Sequence, residues 1–188
     1  SSAASDVYKR QQTIFLLPLF LLAGCASAGG SQSRDLDLKE LCTEEQVFQY
    51  ADFEWGTDSE QLFKQSSLKF DEKDLGQGDE SSTKTYESKE KFSLENAESN
   101  MDLEFSDGQL SQVSFTFDIE QDANTWIQKE VDELNSLYGG GIATGLGNQI
   151  YQWQGEQDTV LQLTAFTEGD ESATVILSVA SMEYSIGS

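Results

Sequence analysis

Hydrophobic and polar residues alternate along two stretches of the chain in the way that half-buried β-strands require. Residues 101–105 alternate apolar with acidic side chains, and residues 113–119 repeat the same period of two. Between these runs stands the pair Asp107-Gly108, which is typical of a two-residue hairpin turn. The pattern therefore predicts a β-hairpin with one face packed against a core and the other face turned to solvent.

A second segment repeats its apolar residues at the spacing of an α-helix. Ile127, Val131 and Leu134 lie three or four positions apart, so their side chains share one face of a helix. The helix is predicted to begin after a cap at Asp122 and to end near Tyr138, where three glycines follow.

A shorter helix is predicted from a capping pattern. Thr57 precedes Glu60 by three residues, which is the spacing of a capping box, so a helix should run from a cap at Thr57 to about Gln65. Leu62 and Phe63 would then turn toward the core. A helical turn is also predicted within residues 37–45.

Five further segments complete the prediction of secondary structure. Aromatic residues predict a strand at 47–55, and alternation or β-branched composition predicts the others. These other strands are expected at residues 84–94, 149–154, 159–167 and 174–181.

The order of predicted elements indicates the α+β fold class. A helix, three strands, a helix and three strands are expected to form an antiparallel sheet of about six strands, packed on one face by two helices. The repeated order also suggests a tandem α-β-β-β duplication, with repeats at about 46–119 and 120–184. The folded domain is predicted to cover residues 37–188.

The most apolar stretch of the chain lies before this domain. Residues 13–22 carry no charge and follow the basic pair Lys9-Arg10, which is the layout of a signal peptide. The run is well short of the roughly 20 apolar residues that a membrane-spanning helix needs. We therefore predict a signal peptide over residues 1–24.

The end of this segment resembles the lipobox of bacterial prolipoproteins. The four residues concerned are Leu22-Ala23-Gly24-Cys25. The resemblance implies that signal peptidase II recognises Leu22, Ala23 and Gly24, that it cleaves before Cys25, and that Cys25 carries a lipid. The protein would then be extracytoplasmic, held at the cell membrane or the outer membrane, with residues 25–36 as a flexible tether. An ordinary secretory signal with a chance cysteine is the alternative.

Three short motifs in the folded part resemble a group of small exported bacterial proteins. Residues 53–60 contain Trp-Gly-Thr before the short helix, residues 105–110 contain the hairpin, and residues 134–139 with 151–153 contain Leu-Tyr-Gly followed by Trp. The pattern is similar to the SmpA/OmlA lipoproteins and the beta-lactamase inhibitor protein. The resemblance implies a helix-plus-sheet domain that binds proteins or helps to assemble them.

The charge of the chain narrows the range of partners. There are 34 Asp and Glu against 11 Lys and Arg, which gives a formal net charge of −23. Such a chain repels the phosphates of nucleic acid and of anionic lipids, so we predict no nucleic-acid partner and expect the lipid alone to hold the protein at a membrane.

The histidine and cysteine content limits the kinds of catalysis and metal binding that the chain could support. The chain has no histidine, which removes the commonest general base and the commonest metal ligand, so we predict no cofactor and no metal site. Of its two cysteines, Cys25 would be lipidated. Cys42 would then lack a partner and remain a free thiol.

These observations predict a non-catalytic lipoprotein that binds another protein or a component of the cell envelope. Trp126, Tyr151 and Trp153 are the candidate partner-binding residues, since aromatic side chains contribute strongly to interfaces. Two alternatives stay open. A pair of carboxylates could serve a hydrolase acting on envelope carbohydrate, and a passive structural lipoprotein would show no exposed apolar patch.

Overall fold

The computed structural model describes residues 33–74, 82–144, 149–169 and 171–185. The strands are β1 (Arg34–Asp35), β2 (Phe70–Lys73), β3 (Thr83–Leu94), β4 (Ala97–Ser106), β5 (Gln109–Ile119), β6 (Ile142–Thr144), β7 (Gln149–Gln154), β8 (Thr159–Glu168) and β9 (Ser172–Ser181). The helices are a 3-10 helix (Leu38–Leu41), α1 (Ser59–Gln65), α2 (Ala123–Tyr138) and α3 (Met182–Ser185).

All of these strands belong to one sheet. Its order is β1-β3-β4-β5-β9-β8-β7-β6, and β2 is also paired with β3. The pairing of β1 with β3 is parallel and the other pairings are antiparallel. The α+β class is therefore confirmed, but the predicted six strands are wrong, since the sheet in the described residues has nine. The unpredicted strands β1, β2 and β6 have only two to four residues, too few for a period of two to show.

The sheet divides into two halves with the same order of elements. In the first half, α1 is followed by β2 to β5, and in the second half α2 is followed by β6 to β9. The last strands of the two halves, β5 and β9, pair antiparallel at the centre of the sheet. Each half thus has four strands where three were predicted. That the halves arose by duplication stays a prediction.

Helices α1 and α2 pack on the same face of the sheet, which we call the packed face. Phe105 of β4 contacts Phe63 of α1 with ring centroids 6.2 Å apart, and Phe117 of β5 contacts Trp126 of α2 at 5.9 Å. Six of the buried residues that this face contributes to the core are Met101, Leu103, Val113, Leu161, Leu163 and Leu177. Burying this surface is the main source of stability, because the apolar area removed from water is large.

The predicted hairpin between β4 and β5 is confirmed. Asp107 and Gly108 have φ angles of 50° and 79°, the left-handed conformation that a tight turn between antiparallel strands requires. Glu95 and Asn96, with φ angles of 47° and 69°, make a similar turn between β3 and β4. Asn tolerates this conformation better than most residues, so that turn also has a local explanation.

The predicted strand at residues 47–55 is wrong. This segment makes only an isolated bridge, between Cys42 and Phe48, and Ala51 takes a left-handed φ of 46° that ends any extended run. Its aromatic residues serve packing instead. The indole Nε1 of Trp55 donates to the carbonyl of Phe48 at 2.9 Å, which folds the segment back on itself.

The predictions of helices α1 and α2 are confirmed, but the hydrogen bonds that cap these helices differ from the expected ones. Asp58, not Thr57, caps α1, because its Oδ1 accepts from the amide of Gln61 at 2.8 Å. Asp122 stands at the cap position of α2 but makes no side-chain cap. The first amide of α2 instead donates to the carbonyl of Glu171 at 3.1 Å.

The predicted signal peptide and the first part of the tether, residues 1–32, lie outside the described residues. The last part of the predicted tether belongs to the domain. Arg34–Asp35 forms β1 and pairs with β3, and Leu36 is 5 % exposed within the core. Burial of the apolar side chain of Leu36 favours the docking of this segment on the domain. The polar residues on either side of Leu36 make that docking hard to predict from the sequence.

Candidate functional site

Alternate residues of the strands point away from the packed face and form what we call the open face. The strand register places these residues in rows that cross the sheet. One row contains Asp102, Ser114, Ser178, Gln162 and Gln152, in β4, β5, β9, β8 and β7 respectively. Because successive residues of a strand alternate between faces, the sequence of each strand sets what the open face presents.

In the first half, the open face is charged. The Nζ atom of Lys73 lies 2.8 Å from Glu87 and 2.9 Å from Asp102, so one ammonium group joins strands β2, β3 and β4. We call these three residues the charged cluster. Such a network of partly exposed ions is usually structural and contributes modestly to stability.

The pKa values in this half follow from burial opposed by ion pairing. Burial raises the pKa of Asp102, and the ammonium of Lys73 counteracts part of that rise. Burial acts to lower the pKa of Lys73, but its hydrogen bonds to Glu87 and Asp102 outweigh burial and the pKa is raised. Burial also raises the pKa of Glu104, the next open-face residue of β4.

Among the described strand residues of the second half, the open face carries one charged side chain, that of Glu168 at the end of β8. The other side chains there are hydroxyls, amides and apolar groups, many of them β-branched residues that suit an extended strand. We call this surface the uncharged patch, and its members are Ile142, Thr144, Ile150, Gln152, Gln162, Thr164, Phe166, Thr174, Ile176 and Ser178.

Two large apolar side chains of the uncharged patch are open to solvent. Ile142 is 68 % exposed and Phe166 is 43 % exposed. Across the strands, Thr164 lies between Ile150 and Ile176, which are both half-buried. Depletion of charge around exposed apolar and aromatic side chains is the composition found at the core of protein–protein interfaces.

The structure removes Trp153 from the candidate partner-binding residues. It is 3 % exposed on the packed face, and its indole Nε1 donates to Asn135 Oδ1 at 3.1 Å and to the carbonyl of Gly139 at 3.0 Å. A Cβ at Gly141 would lie 2.6 Å from the same ring. Trp153 therefore fixes the end of α2 and cannot reach a partner, so this prediction is wrong.

The other two predicted aromatics also lie apart from the uncharged patch. Tyr151 shares the packed face with Trp153 and is partly buried against the core. Trp126 packs on Phe117, and its Nε1 is buried without a hydrogen-bond partner among the described residues. The structure brings none of the three predicted aromatics into the candidate surface.

The sequence did hold a signal for the residues that were missed. Phe166 lies within a correctly predicted strand, at a position that alternates with the core residues Leu163 and Ala165. Reading those alternate positions in β8 and β9 for charge would have shown a neutral surface in an otherwise acidic chain. The same approach could not have identified Ile142, because strand β6 was not predicted from the sequence.

Helix α2 buries an unusual group near the edge of the core. Glu130 is 0 % exposed, and neither of its carboxylate oxygens has a hydrogen-bond partner among the described residues. Burial, followed by the charges of Glu133 and Glu95, raises its pKa to about 7, while Lys129 acts in the opposite direction. An unpaired buried carboxylate is destabilising when ionised.

The predicted lipid-attachment residues, Leu22, Ala23, Gly24 and Cys25, lie outside the described residues. Cys42 is half-buried and is a free thiol in the described structure. Burial raises the pKa of this thiol, which disfavours the reactive thiolate.

In the described part of the chain, no group of three or more Cys, Asp or Glu side chains is arranged to hold a metal ion. None of the described helices combines the length and the apolar character needed to cross a membrane.

Comparisons with known proteins add no family to these observations. The chain matches no protein-family model, no curated protein and no solved structure. The resemblance to the SmpA/OmlA lipoproteins and the beta-lactamase inhibitor protein therefore stays a prediction.

Proposed function

We propose that this chain is a lipid-anchored, extracytoplasmic protein without catalytic activity, which binds another protein through the uncharged patch. The observation that carries the proposal is an uncharged surface with exposed Phe166 and Ile142 on a chain of net charge −23. Acidic side chains would cover this surface if solubility alone had shaped it. The row of Ile150, Thr164 and Ile176 lies between these two exposed residues, and this mixture of apolar and hydroxyl side chains suits a protein partner.

The anchoring part of the proposal rests on the lipobox-like residues that end in Cys25. The charge of the domain supports it, because an acidic chain is repelled by anionic membranes and needs another means of attachment. The lack of histidine in the sequence supports a binding role over acid–base catalysis at neutral pH.

The test compares two exposed apolar residues in different places. Phe166 and Met182 are each 43 % exposed, but only Phe166 belongs to the uncharged patch. The full lipidated chain is purified from its host envelope with its stoichiometric partner, as wild type, Phe166→Glu and Met182→Glu. We expect Phe166→Glu to weaken the complex by about tenfold or more, because it buries a charge at the contact, and Met182→Glu to leave affinity unchanged.

Retention of the partner by Phe166→Glu at wild-type affinity would remove the uncharged patch from the proposal. Equal loss in both variants would contradict it as well, since the effect would then be general. In the same preparations, Cys25→Ser should abolish incorporation of labelled fatty acid. Label that persists in this variant would refute the lipid anchor independently of the partner.

A further inference from the structure

The partner of the uncharged patch has to fit a neutral surface on a strongly acidic chain. The formal net charge is −23, whereas the members of the patch are threonine, serine, glutamine, isoleucine and phenylalanine residues. A basic partner would gain attraction and faster association from carboxylates at the contact, and the patch offers it none. An acidic partner is weakened by each carboxylate that it faces, because like charges brought together are unfavourable. The patch therefore suits a partner that is itself acidic.

The polar side chains of the patch are complementary to copies of themselves. Hydroxyl and amide groups both donate and accept hydrogen bonds, so two identical surfaces that carry threonine, serine and glutamine can satisfy each other. The charged cluster lacks this property, because its single ammonium group, on Lys73, is already paired with Glu87 and Asp102 of the same chain. A dimer with two-fold symmetry uses the same surface on both subunits, so its interface must be self-complementary.

The apolar side chains of the patch give such a contact its driving force. Phe166 and Ile142 are 43 % and 68 % exposed, so both have apolar area to remove from water. The half-buried Ile150 and Ile176 flank Thr164 in the row between them. Open faces of two antiparallel sheets can pack on one another about 10 Å apart, with the side chains of both faces interdigitating. A second sheet of the same kind would cover this surface.

We propose that the partner is a second copy of this chain, with the two sheets packed face to face through the uncharged patch. The dimer rests on the proposed function, since it gives the same surface a named partner. Glu168 and Asp118 stand at one end of the patch, where Asp118 accepts a hydrogen bond from the hydroxyl of Thr174 at 2.9 Å. The two copies therefore pack with these acidic ends apart, because opposed carboxylates would repel each other.

The size of the patch and the lipid anchor together set the expected strength of the dimer. A stable interface takes about 20–30 residues from each side, which is more than the patch supplies. The dimer should therefore be weak in solution, with a Kd on the order of 10 to 100 μM. Lipid on Cys25 would hold both copies on one membrane, where their effective concentration is higher and association is favoured.

The test measures self-association of the full lipidated chain by sedimentation equilibrium in density-matched detergent. A reductant is present so that Cys42 cannot join two copies through a disulfide. We expect a reversible wild-type dimer and at least tenfold weaker association of Phe166→Glu, because that variant buries a charge at the contact. Met182→Glu is the matched control. Met182 is as exposed as Phe166 but lies outside the patch, so this variant should dimerise like the wild type.

The salt dependence of the dimer supplies a second readout. Two copies with a net charge of −23 each repel one another, so raising the salt from about 50 mM to about 500 mM should strengthen the dimer. A contact between opposite charges would instead weaken as salt is added. A dimer that weakens with salt would therefore overturn the proposal.

The outcomes separate this dimer from the proposed function. A wild-type chain that stays monomeric far above the expected Kd, while Phe166→Glu loses a different protein of the host envelope, would overturn the second copy as partner and leave the proposed function standing. A monomeric chain with no other partner would overturn both. Dimerisation of Phe166→Glu at wild-type affinity would show that the copies meet elsewhere, and the proposal would again be overturned.

Discussion

The two halves of the sheet have the same order of elements and different outer surfaces. Each consists of a helix followed by a four-stranded meander, and each presents aliphatic and aromatic residues on the packed face. On the open face the first half carries the charged cluster, whereas the second half carries the uncharged patch. The packed face must bury apolar area in both halves, but nothing in the fold requires the open faces to differ.

The difference in charge between the two halves of the open face is therefore better explained by function than by the requirements of folding. A sheet with one open side tolerates any polar residue there, and an acidic chain would be most soluble with charge in both halves. Glu168 follows Phe166 on the same face of β8, and the other residues of the uncharged patch next to Phe166 are neutral. A binding partner that desolvates this surface gives a reason for the missing charge, because burying an unpaired carboxylate is unfavourable.

The largest expected effect tests the similarity of the packed faces. Leu103 in β4 and Leu163 in β8, the third strands of their meanders, are 0 % and 1 % exposed. Truncation of either residue to Ala should lower the free energy of unfolding by about 2–5 kcal/mol, because it removes buried methyl groups and leaves a cavity. Urea denaturation followed by circular dichroism measures both.

The similarity of the two packed faces would be contradicted if the two truncated variants unfolded differently. Since β5 and β9 join the halves through a continuous ladder, each variant should unfold in one transition. Two separate transitions, or a loss confined to one variant, would show that the halves are independent units with unequal cores.

The next effect concerns α2, whose buried acid has no counterpart among the buried residues of α1. The pKa of Glu130 is about 7 in the folded protein against 4.5 as the ordinary value. Between these values the unfolded chain releases this proton while the folded chain keeps it, so stability is lost as pH rises from about 4.5 to 7. The loss is on the order of 3 kcal/mol and persists above pH 7.

Glu130→Gln should therefore remove this part of the pH dependence while keeping the shape of the side chain. Thermal unfolding of both proteins between pH 4 and pH 8 measures it, and the difference between them cancels the contributions of all other carboxylates. Parallel curves for the two proteins would mean that Glu130 ionises in the folded state as it does in the unfolded chain. Glu133→Gln is the control for removal of a neighbouring charge.

The smallest effect tests the charged cluster. Lys73→Met leaves Glu87 and Asp102 without their shared cation, and we expect a loss of about 1 kcal/mol that shrinks as salt screens the remaining repulsion. The matched control is Lys64→Met, since Lys64 forms an exposed pair with Glu60 and should contribute only a few tenths of a kcal/mol. Denaturation at low and high salt measures both, and equal losses would show that the cluster is no more than a surface pair.

Strands with a strong local pattern were predictable from sequence. The alternation at residues 113–119 and the Asp107-Gly108 turn located β5 and its hairpin, because both signals act within a few residues. The predicted strand at 149–154 matches β7 (Gln149–Gln154) in both of its ends. Segments whose role depends on distant partners were misread, as the aromatic run at 47–55 and the docking of β1 illustrate.

The candidate surface was harder to predict for the same reason. The sequence offers Trp153 as an aromatic residue that a partner could contact, yet which face it occupies depends on the register of β7 against β8. A shift of one residue in that register would exchange every side chain between the two faces. Phe166 has a local signal in the alternation of β8, whereas Ile142 became a candidate only when the strands were placed side by side.

The sequence by itself determined the acidic character of this protein, its α+β class, its main hairpin and its long helix. These depend on composition and on periods of two or about four residues, which neighbouring residues suffice to define. Only the tertiary structure decided that the nine strands of the described residues share one sheet, that the two halves of its open face differ in charge, and that the carboxylate of Glu130 is buried without a hydrogen-bond partner among those residues. Such properties depend on contacts between residues far apart in the chain, which no local pattern specifies.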